Sequence, residues 1–181
     1  MAFVAGLALL TTACSDGATG TPTPATTTTG TKADSSTTPA TTSPSDDNAL
    51  ADVDPCDLLT SAEVTQVGLT NPGEPEVIGG AETCRWKVSG NGGLLVAVNP
   101  RKGFDDLDYR GKDVAPTKVG KYEARLAKAL DGAKNICHVV IEVSGSSSVQ
   151  LISNFTASSS DTAGACARAT QAAELVAPKL P

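Results

Sequence analysis

The sequence predicts an α+β domain in which an antiparallel β-sheet carries a short N-terminal helix and a C-terminal helix packed on it, with two disulfides. Three observations support this fold class. Short segments alternate apolar and polar residues with the period of a half-buried strand. Helix-like segments precede and follow them, as in α+β folds. The same part of the chain carries four cysteines, namely Cys56, Cys84, Cys137 and Cys166.

The first predicted element is a short helix over residues 61–67. Thr60 and Glu63 have the spacing of a capping box, in which each residue's side chain binds the other's backbone N–H. Gly68 can adopt the left-handed conformation that ends many helices. The pattern therefore predicts one helix of about two turns ahead of the sheet.

Two strands follow and form a predicted hairpin. Cys84, Trp86 and Val88 alternate with charged residues, which indicates a strand with one buried face. A second strand, residues 94–98, comes directly after a glycine-rich turn at residues 90–93. We expect Trp86 to lie in the core.

The second half of the chain predicts further strands. Residues 118–130 mix polar and apolar side chains around Gly120, which favours strands. Along the next strand Cys137 and His138 point to opposite faces, because strand side chains alternate. A turn then leads into a strand over residues 149–156, so this pair is the clearest hairpin in the sequence.

A final helix closes the predicted fold. Asp161 or a preceding serine caps its N-terminus, and apolar residues recur on the face that carries Cys166. Pro178 marks its end, because proline cannot continue a helix.

The N-terminus predicts export and lipid attachment. An apolar run at residues 3–10 is followed by small residues and then Cys14, an arrangement that resembles a bacterial lipoprotein signal, whose cysteine receives a diacylglycerol. We therefore predict a signal peptide at residues 1–13, a lipidated Cys14 with a disordered Thr/Ser/Pro-rich tether at 14–52, and a globular domain at 53–181. The predicted location is the outer face of the cell membrane. A generic secretory signal, with Cys14 incidental, remains the alternative.

With Cys14 set aside, an even number of cysteines remains, and in an exported chain this number argues for two disulfides. Three pairings are possible. The order along the chain favours Cys56 with Cys84 and Cys137 with Cys166. A metal or redox site is the alternative, but there is no CxxC pair and the chain has a single histidine.

Composition limits the classes of partner and chemistry. The chain has a net charge of −6, which does not favour nucleic acid or an anionic membrane surface as a partner. None of the familiar hydrolase, nucleotide-binding or calcium-binding motifs occurs, so we predict no cofactor and no metal.

The combination of motifs resembles a family of actinobacterial cell-envelope lipoproteins that carries a domain of unknown function. The resemblance runs over residues 53–181 and extends to the signal and the tether. It implies an envelope setting and no particular activity. The residues that carry it are the DPCDLLT segment at 54–60 with Glu63 and Gly68, the Cys84-Arg85-Trp86 triplet, Cys137, Cys166 and the Ala-rich final helix.

One stretch is a candidate binding surface. Residues 99–116 form a long connection, and they concentrate cations and aromatics in a chain with 3% aromatic residues. Such side chains suit an envelope protein or an anionic cell-wall polymer. The alternative is a short helix that packs its aromatics on the core while its charges face water. The candidate residues are Arg101, Lys102, Phe104, Tyr109 and Arg110.

The function predicted from these observations is a non-enzymatic binding or protein-interaction module, anchored to the membrane through lipid on Cys14. A structural envelope component without a specific ligand is the first alternative. A hydrolase is the second, and it would have to use His138 as its base, because no other histidine is present.

Overall fold

The computed structural model describes residues 49–109 and 113–181. Cys14, the predicted signal peptide and the tether up to residue 48 lie outside the described residues, as does Arg110. The described residues form one seven-stranded antiparallel sheet with two α-helices. The predicted α+β class is therefore confirmed.

The elements follow in order along the chain. The helices are α1 (Ser61–Gln66) and α2 (Thr162–Val176), and short 3-10 helices occupy Pro55–Leu58, Phe104–Asp106, Leu130–Gly132 and Ala177–Lys179. The strands are β1 (Thr70–Ile78), β2 (Ala81–Lys87), β3 (Gly93–Asn99), β4 (Asp113–Val119), β5 (Tyr122–Lys128), β6 (Ile136–Ser144) and β7 (Ser147–Asn154).

The sheet has the strand order β1-β2-β3-β7-β6-β5-β4. It consists of two meanders, β1 to β3 and β4 to β7, which meet where β3 pairs antiparallel with β7. The edge strands β1 and β4 contain Pro72, Pro75 and Pro116. Edge strands tolerate proline because one side of an edge strand has no ladder to complete.

The predicted capping box begins α1. The Thr60 hydroxyl accepts from the Glu63 N–H at 3.3 Å, and the Thr60 N–H donates to the Glu63 carboxylate at 2.7 Å. Gly68 has a φ of +74°, as expected after a helix. The helix prediction is confirmed, although α1 ends one residue earlier, at Gln66.

The main core lies on one side of the sheet, between the strands and both helices. Trp86 from β2 and Ile141 from β6 are buried there with Val176 of α2. We call this side the helix face. Leu50 joins the same core with 1% of its surface exposed, although residues 14–52 are the predicted tether.

The two disulfides attach the helical parts to the sheet. Cys56–Cys84 joins the first 3-10 helix to β2, and Cys137–Cys166 joins β6 to α2. The pairing favoured by chain order is therefore confirmed. Gly73 of β1 lies directly over the first disulfide, where an added Cβ would come within 2.6 Å of the Cys84 sulfur. Only glycine allows this approach.

The structure differs from the sequence prediction in two further places. Strand β1 was not predicted, because its prolines and glycine hide the strand pattern. The connection after β3 is also shorter than residues 99–116, since Asn99 ends β3 and β4 already begins at Asp113. The candidate binding stretch is therefore the loop of residues 100–112.

Candidate functional site

The candidate site lies on the side of the sheet opposite α2, which we call the loop face because residues 100–109 lie against it. His138 and Val140 of β6 point to this face, and Cys137 and Val139 point to the core. The alternation predicted for β6 is confirmed. The loop face is thus a second covered surface of the sheet.

Hydrogen bonds fix the beginning of the loop. The Ser148 hydroxyl donates to the Lys102 carbonyl at 2.8 Å, and the Gly103 N–H donates to the Asp106 carboxylate at 3.0 Å. Gly103 also packs on the turn between β6 and β7, since a Cβ there would lie 2.1 Å from the Gly145 carbonyl oxygen. The loop therefore starts from a defined position over the sheet.

The two aromatic candidates of the loop pack inward. The Phe104 and Tyr109 rings stack with centroids 5.4 Å apart, and Tyr109 is buried. The Arg125 guanidinium lies 4.6 Å from the Phe104 centroid and binds the Glu142 carboxylate at 3.0 Å. This cation–π contact and the stacking hold the loop on the sheet. Both aromatics thus pack inward, as the alternative interpretation of this stretch predicts, although the turn between them is a 3-10 helix and not an α-helix.

His138 lies beneath Tyr109. Its Nδ1 is 2.7 Å from the Tyr109 hydroxyl, which donates to it when the imidazole proton is on Nε2. Burial lowers the pKa of His138 from 6.5 to about 4, because desolvation disfavours the cation. Burial also raises the pKa of Tyr109. The pair is therefore neutral at pH 7, and the buried phenol is a poor nucleophile.

The two described cations of the candidate stretch remain at the surface. Arg101 and Lys102 are exposed, and the Lys102 ammonium donates to the Gly79 carbonyl at 3.3 Å. Lys102 thereby connects the loop to the turn between β1 and β2. The structure brings Phe104, Tyr109 and His138 together and leaves Arg101 and Lys102 on the outer side.

Beside this cluster is a groove that the sequence analysis did not predict. It encloses about 240 Å³ between the loop and the turn that joins β1 to β2. Leu95 and Ala97 of β3 and Ile152 of β7 form its floor, and Ile78 and Leu107 line its sides. The surface inside the groove is mainly apolar.

Asn99 lies where the groove meets a second pocket. This second pocket, of about 230 Å³, is lined by Gly80, Pro100, Arg101, Lys102 and Asn99 itself, and we call it the mouth. Asn99 and Lys102 line both spaces. Asn99 is 5% exposed, and its Nδ2 has almost no exposed surface and no hydrogen-bond partner among the described residues. An unpaired buried amide is uncommon in proteins.

The sequence did contain a signal for the groove. Strand β3 is apolar on both of its faces, with Leu94, Val96 and Val98 on the helix face and Leu95 and Ala97 on the loop face. A strand that is apolar on both sides is covered on both sides. What covers the second side could not be deduced from that pattern.

The described part of the chain meets neither the requirements of a metal site nor those of a membrane-spanning helix. Within residues 49–109 and 113–181, no group of three His, Cys, Asp or Glu side chains is placed to hold a metal ion. None of the helices in the same residues is long and apolar enough to cross a membrane.

Comparison with known protein families shows which family the chain resembles over most of its length. A family described as "Protein of unknown function (DUF3558)" matches residues 9–179. No curated protein and no solved structure matches the chain.

Proposed function

We propose that this chain, which belongs to the DUF3558 family of proteins of unknown function, is a lipid-anchored binding module of the actinobacterial cell envelope. The module acts without catalysis at the outer face of the membrane, where Cys14 carries the lipid. Its folded domain binds an envelope protein or an anionic cell-wall polymer.

The location is supported by the N-terminal pattern together with the disulfides. Apolar residues 3–10 and Cys14 have the arrangement of a lipoprotein signal. Disulfides persist in exported proteins and are rare in reducing compartments. In both disulfides of the folded part the Cα atoms lie within the usual range for a disulfide, at separations of 5.0 and 4.9 Å.

The main support for the binding role is that the aromatic and the cationic residues of the loop lie on opposite sides of it. Phe104 and Tyr109 pack on the sheet, so the loop has a supported shape, while Arg101 and Lys102 remain exposed at the mouth. Cations held in place on a supported loop suit an anionic partner, since less side-chain and loop entropy is lost on binding.

In-cell crosslinking and co-purification of the full lipoprotein test this proposal. The variant carries Arg101→Glu, Lys102→Glu and Arg110→Glu. A matched control reverses three exposed lysines elsewhere, with Lys118→Glu, Lys128→Glu and Lys134→Glu. We expect a specific partner to be recovered with the wild type and the control and to be lost with the loop variant.

Two other results would count against the proposal. Recovery of the same partner with the loop variant would remove the loop from the interface. Recovery of no partner from any form, with membrane attachment still dependent on Cys14, would favour the structural envelope component. The Cys14→Ala variant tests the anchor, because it should move from the membrane fraction to the medium.

A further inference from the structure

The groove beside the loop combines three features that point to one class of ligand. Its floor is apolar, and the end that meets the mouth holds a buried amide donor with no described partner. Its mouth is lined by two cations, Arg101 and Lys102. We infer that the groove and its mouth bind a small amphipathic carboxylate, which deepens the proposed binding function and rests on it.

The apolar body of the ligand would lie on the sheet. Leu95, Ala97 and Ile152 occupy neighbouring positions across β3 and β7, with Leu95 directly opposite Ile152. Burying apolar ligand surface on such a floor is favourable in proportion to the area removed from water. Because the neighbouring strands hold this floor, the site is formed before a ligand arrives.

The carboxylate would lie at Asn99. The Asn99 Nδ2 has no partner among the described residues and almost no exposed surface, so the Asn99 side chain would rotate toward the groove to donate to the carboxylate. An acceptor there is favoured, because a buried donor without a partner is costly. The Lys102 ammonium has three N–H donors, of which one binds the Gly79 carbonyl. The other two can donate to an anion in the mouth, and the Arg101 guanidinium adds positive charge there. A neutral or cationic head group would leave these charges unmatched.

The volume limits the size of the ligand. The groove, at about 240 Å³, lies between a cavity of ~150 Å³ that accommodates benzene and the ~300 Å³ at the lower end of drug-sized pockets. A ligand of about ten non-hydrogen atoms fits this range. Octanoate has an apolar chain and a carboxylate in that size, and it is the probe we choose.

The test is an NMR titration of the full ¹⁵N-labelled chain with octanoate. The chain carries Cys14→Ser, which removes the predicted acylation site and therefore the need for detergent. We expect saturable shifts of the Asn99 side-chain amide and of the Leu95 and Ala97 backbone amides, with a Kd of about 1 mM. Octanol, which lacks the carboxylate, should bind about tenfold more weakly.

Variants separate the two parts of the site. Ala97→Leu fills the groove and should weaken octanoate binding about tenfold, and Lys102→Gln should weaken it about threefold to tenfold. Lys118→Gln, on the edge strand β4, is the control and should leave the Kd unchanged. Asn99→Leu should weaken binding while the Tm stays the same or rises, because the unpaired amide is replaced by an apolar group of similar size.

Three results would overturn the inference. The first is that no saturable shifts appear at 10 mM octanoate, which is about ten times the expected Kd. The second is that octanol binds with the same affinity as octanoate. The third is that the folded Ala97→Leu variant binds octanoate with the same Kd as the wild type. If octanoate binding fails while the loop variant still loses its partner in cells, only this inference is wrong. If octanoate binds as expected and no partner depends on the loop, the site takes a small molecule and the macromolecular partner of the proposed function is wrong.

Discussion

His138 is a residue whose surroundings change its chemistry. It lies half-buried on the loop face under the Tyr109 hydroxyl, and desolvation lowers its pKa to about 4. At neutral pH the uncharged imidazole shares a hydrogen bond between its Nδ1 and the Tyr109 hydroxyl, which helps to hold Tyr109, and through it the loop, on the sheet. In this position the side chain stabilises the loop.

We expect His138 to make folding sensitive to mild acid. In the unfolded chain the imidazole protonates near pH 6.5, and in the folded chain only near pH 4. Between these values the unfolded state binds more protons, so the free energy of unfolding falls as the pH falls from 6.5 to 4. The contribution of neutral His138 to the free energy of unfolding is fully present above pH 6.5. Acidification to below pH 4 removes about 3 kcal/mol of it. Urea denaturation at pH 7, 5.5 and 4 measures it.

The variant that isolates this effect is His138→Gln, which cannot titrate. Carboxylates titrate in both proteins, so the difference between the two pH profiles belongs to the histidine. Tyr109→Phe is the control, because it removes the hydroxyl and keeps the imidazole. Parallel profiles for the wild type and His138→Gln would show that burial does not change the protonation of His138.

At the level of elements, the two disulfides form a matched pair. They span 28 and 29 residues, and each ties a helical segment to a strand of the sheet. In the chain-entropy model a disulfide destabilises the unfolded state according to the length of its loop. Loops of nearly equal length should therefore contribute nearly equal stability.

We expect each disulfide to contribute about 3–4 kcal/mol to the free energy of unfolding. The variants are Cys56→Ala with Cys84→Ala, and Cys137→Ala with Cys166→Ala, and urea denaturation of each double variant gives its loss. Alanine is used because Cys84 and Cys137 are fully buried. Losses that differ by more than about 1 kcal/mol would mean that packing around the sulfur atoms, and not loop closure, determines the contribution.

The elements also show what the sequence could predict. The capping-box spacing of Thr60 and Glu63 predicts α1, and the alternation of apolar and polar residues predicts the hairpin of β6 and β7. Strand β1 was missed because Pro72 and Pro75 argue against a strand unless its place at the sheet edge is known. The groove was missed for a related reason, since β1, β3 and the loop meet there only after the sheet has formed.

In the candidate site, residue type alone does not determine how the side chains pack. Arg101, Lys102, Phe104 and Tyr109 were selected by residue type, but type alone could not separate the aromatics that pack inward from the cations that stay outside. Asn99 could not be selected at all. Its significance comes from a missing hydrogen-bond partner, which is a property of the folded environment.

Considered as a whole, the folded unit has a core that reaches both of its ends. Leu50 at the start and Leu180 near the finish are buried in the same core as Trp86. Lys179 adds to this closure, since its ammonium donates to the Leu58 carbonyl at 2.8 Å and pairs with Glu63. The end of the predicted tether, at Leu50, is thus part of the core packing.

We expect Leu50→Ala to lower the free energy of unfolding by about 2–4 kcal/mol, because it removes a fully buried side chain from a closed core. Val77→Ala is the control. Val77 lies on the edge strand β1 with 64% of its surface exposed, and its replacement should change stability by less than about 0.5 kcal/mol. Urea denaturation of the full chain measures both. Equal effects would mean that residue 50 belongs to the tether in solution.

The arrangement of the meanders and disulfides has a consequence for the integrity of the molecule. One disulfide lies wholly within the part before the 100–112 loop and the other wholly within the part after it, so neither crosses the pairing of β3 with β7. Proteolytic cleavage in that loop would leave two fragments, each with its own internal crosslink and no covalent bond to the other. The two fragments would then be held together by the seven residue pairs between β3 and β7, by the side chains packed in the shared core, and by the contacts of Lys179 with Leu58 and Glu63.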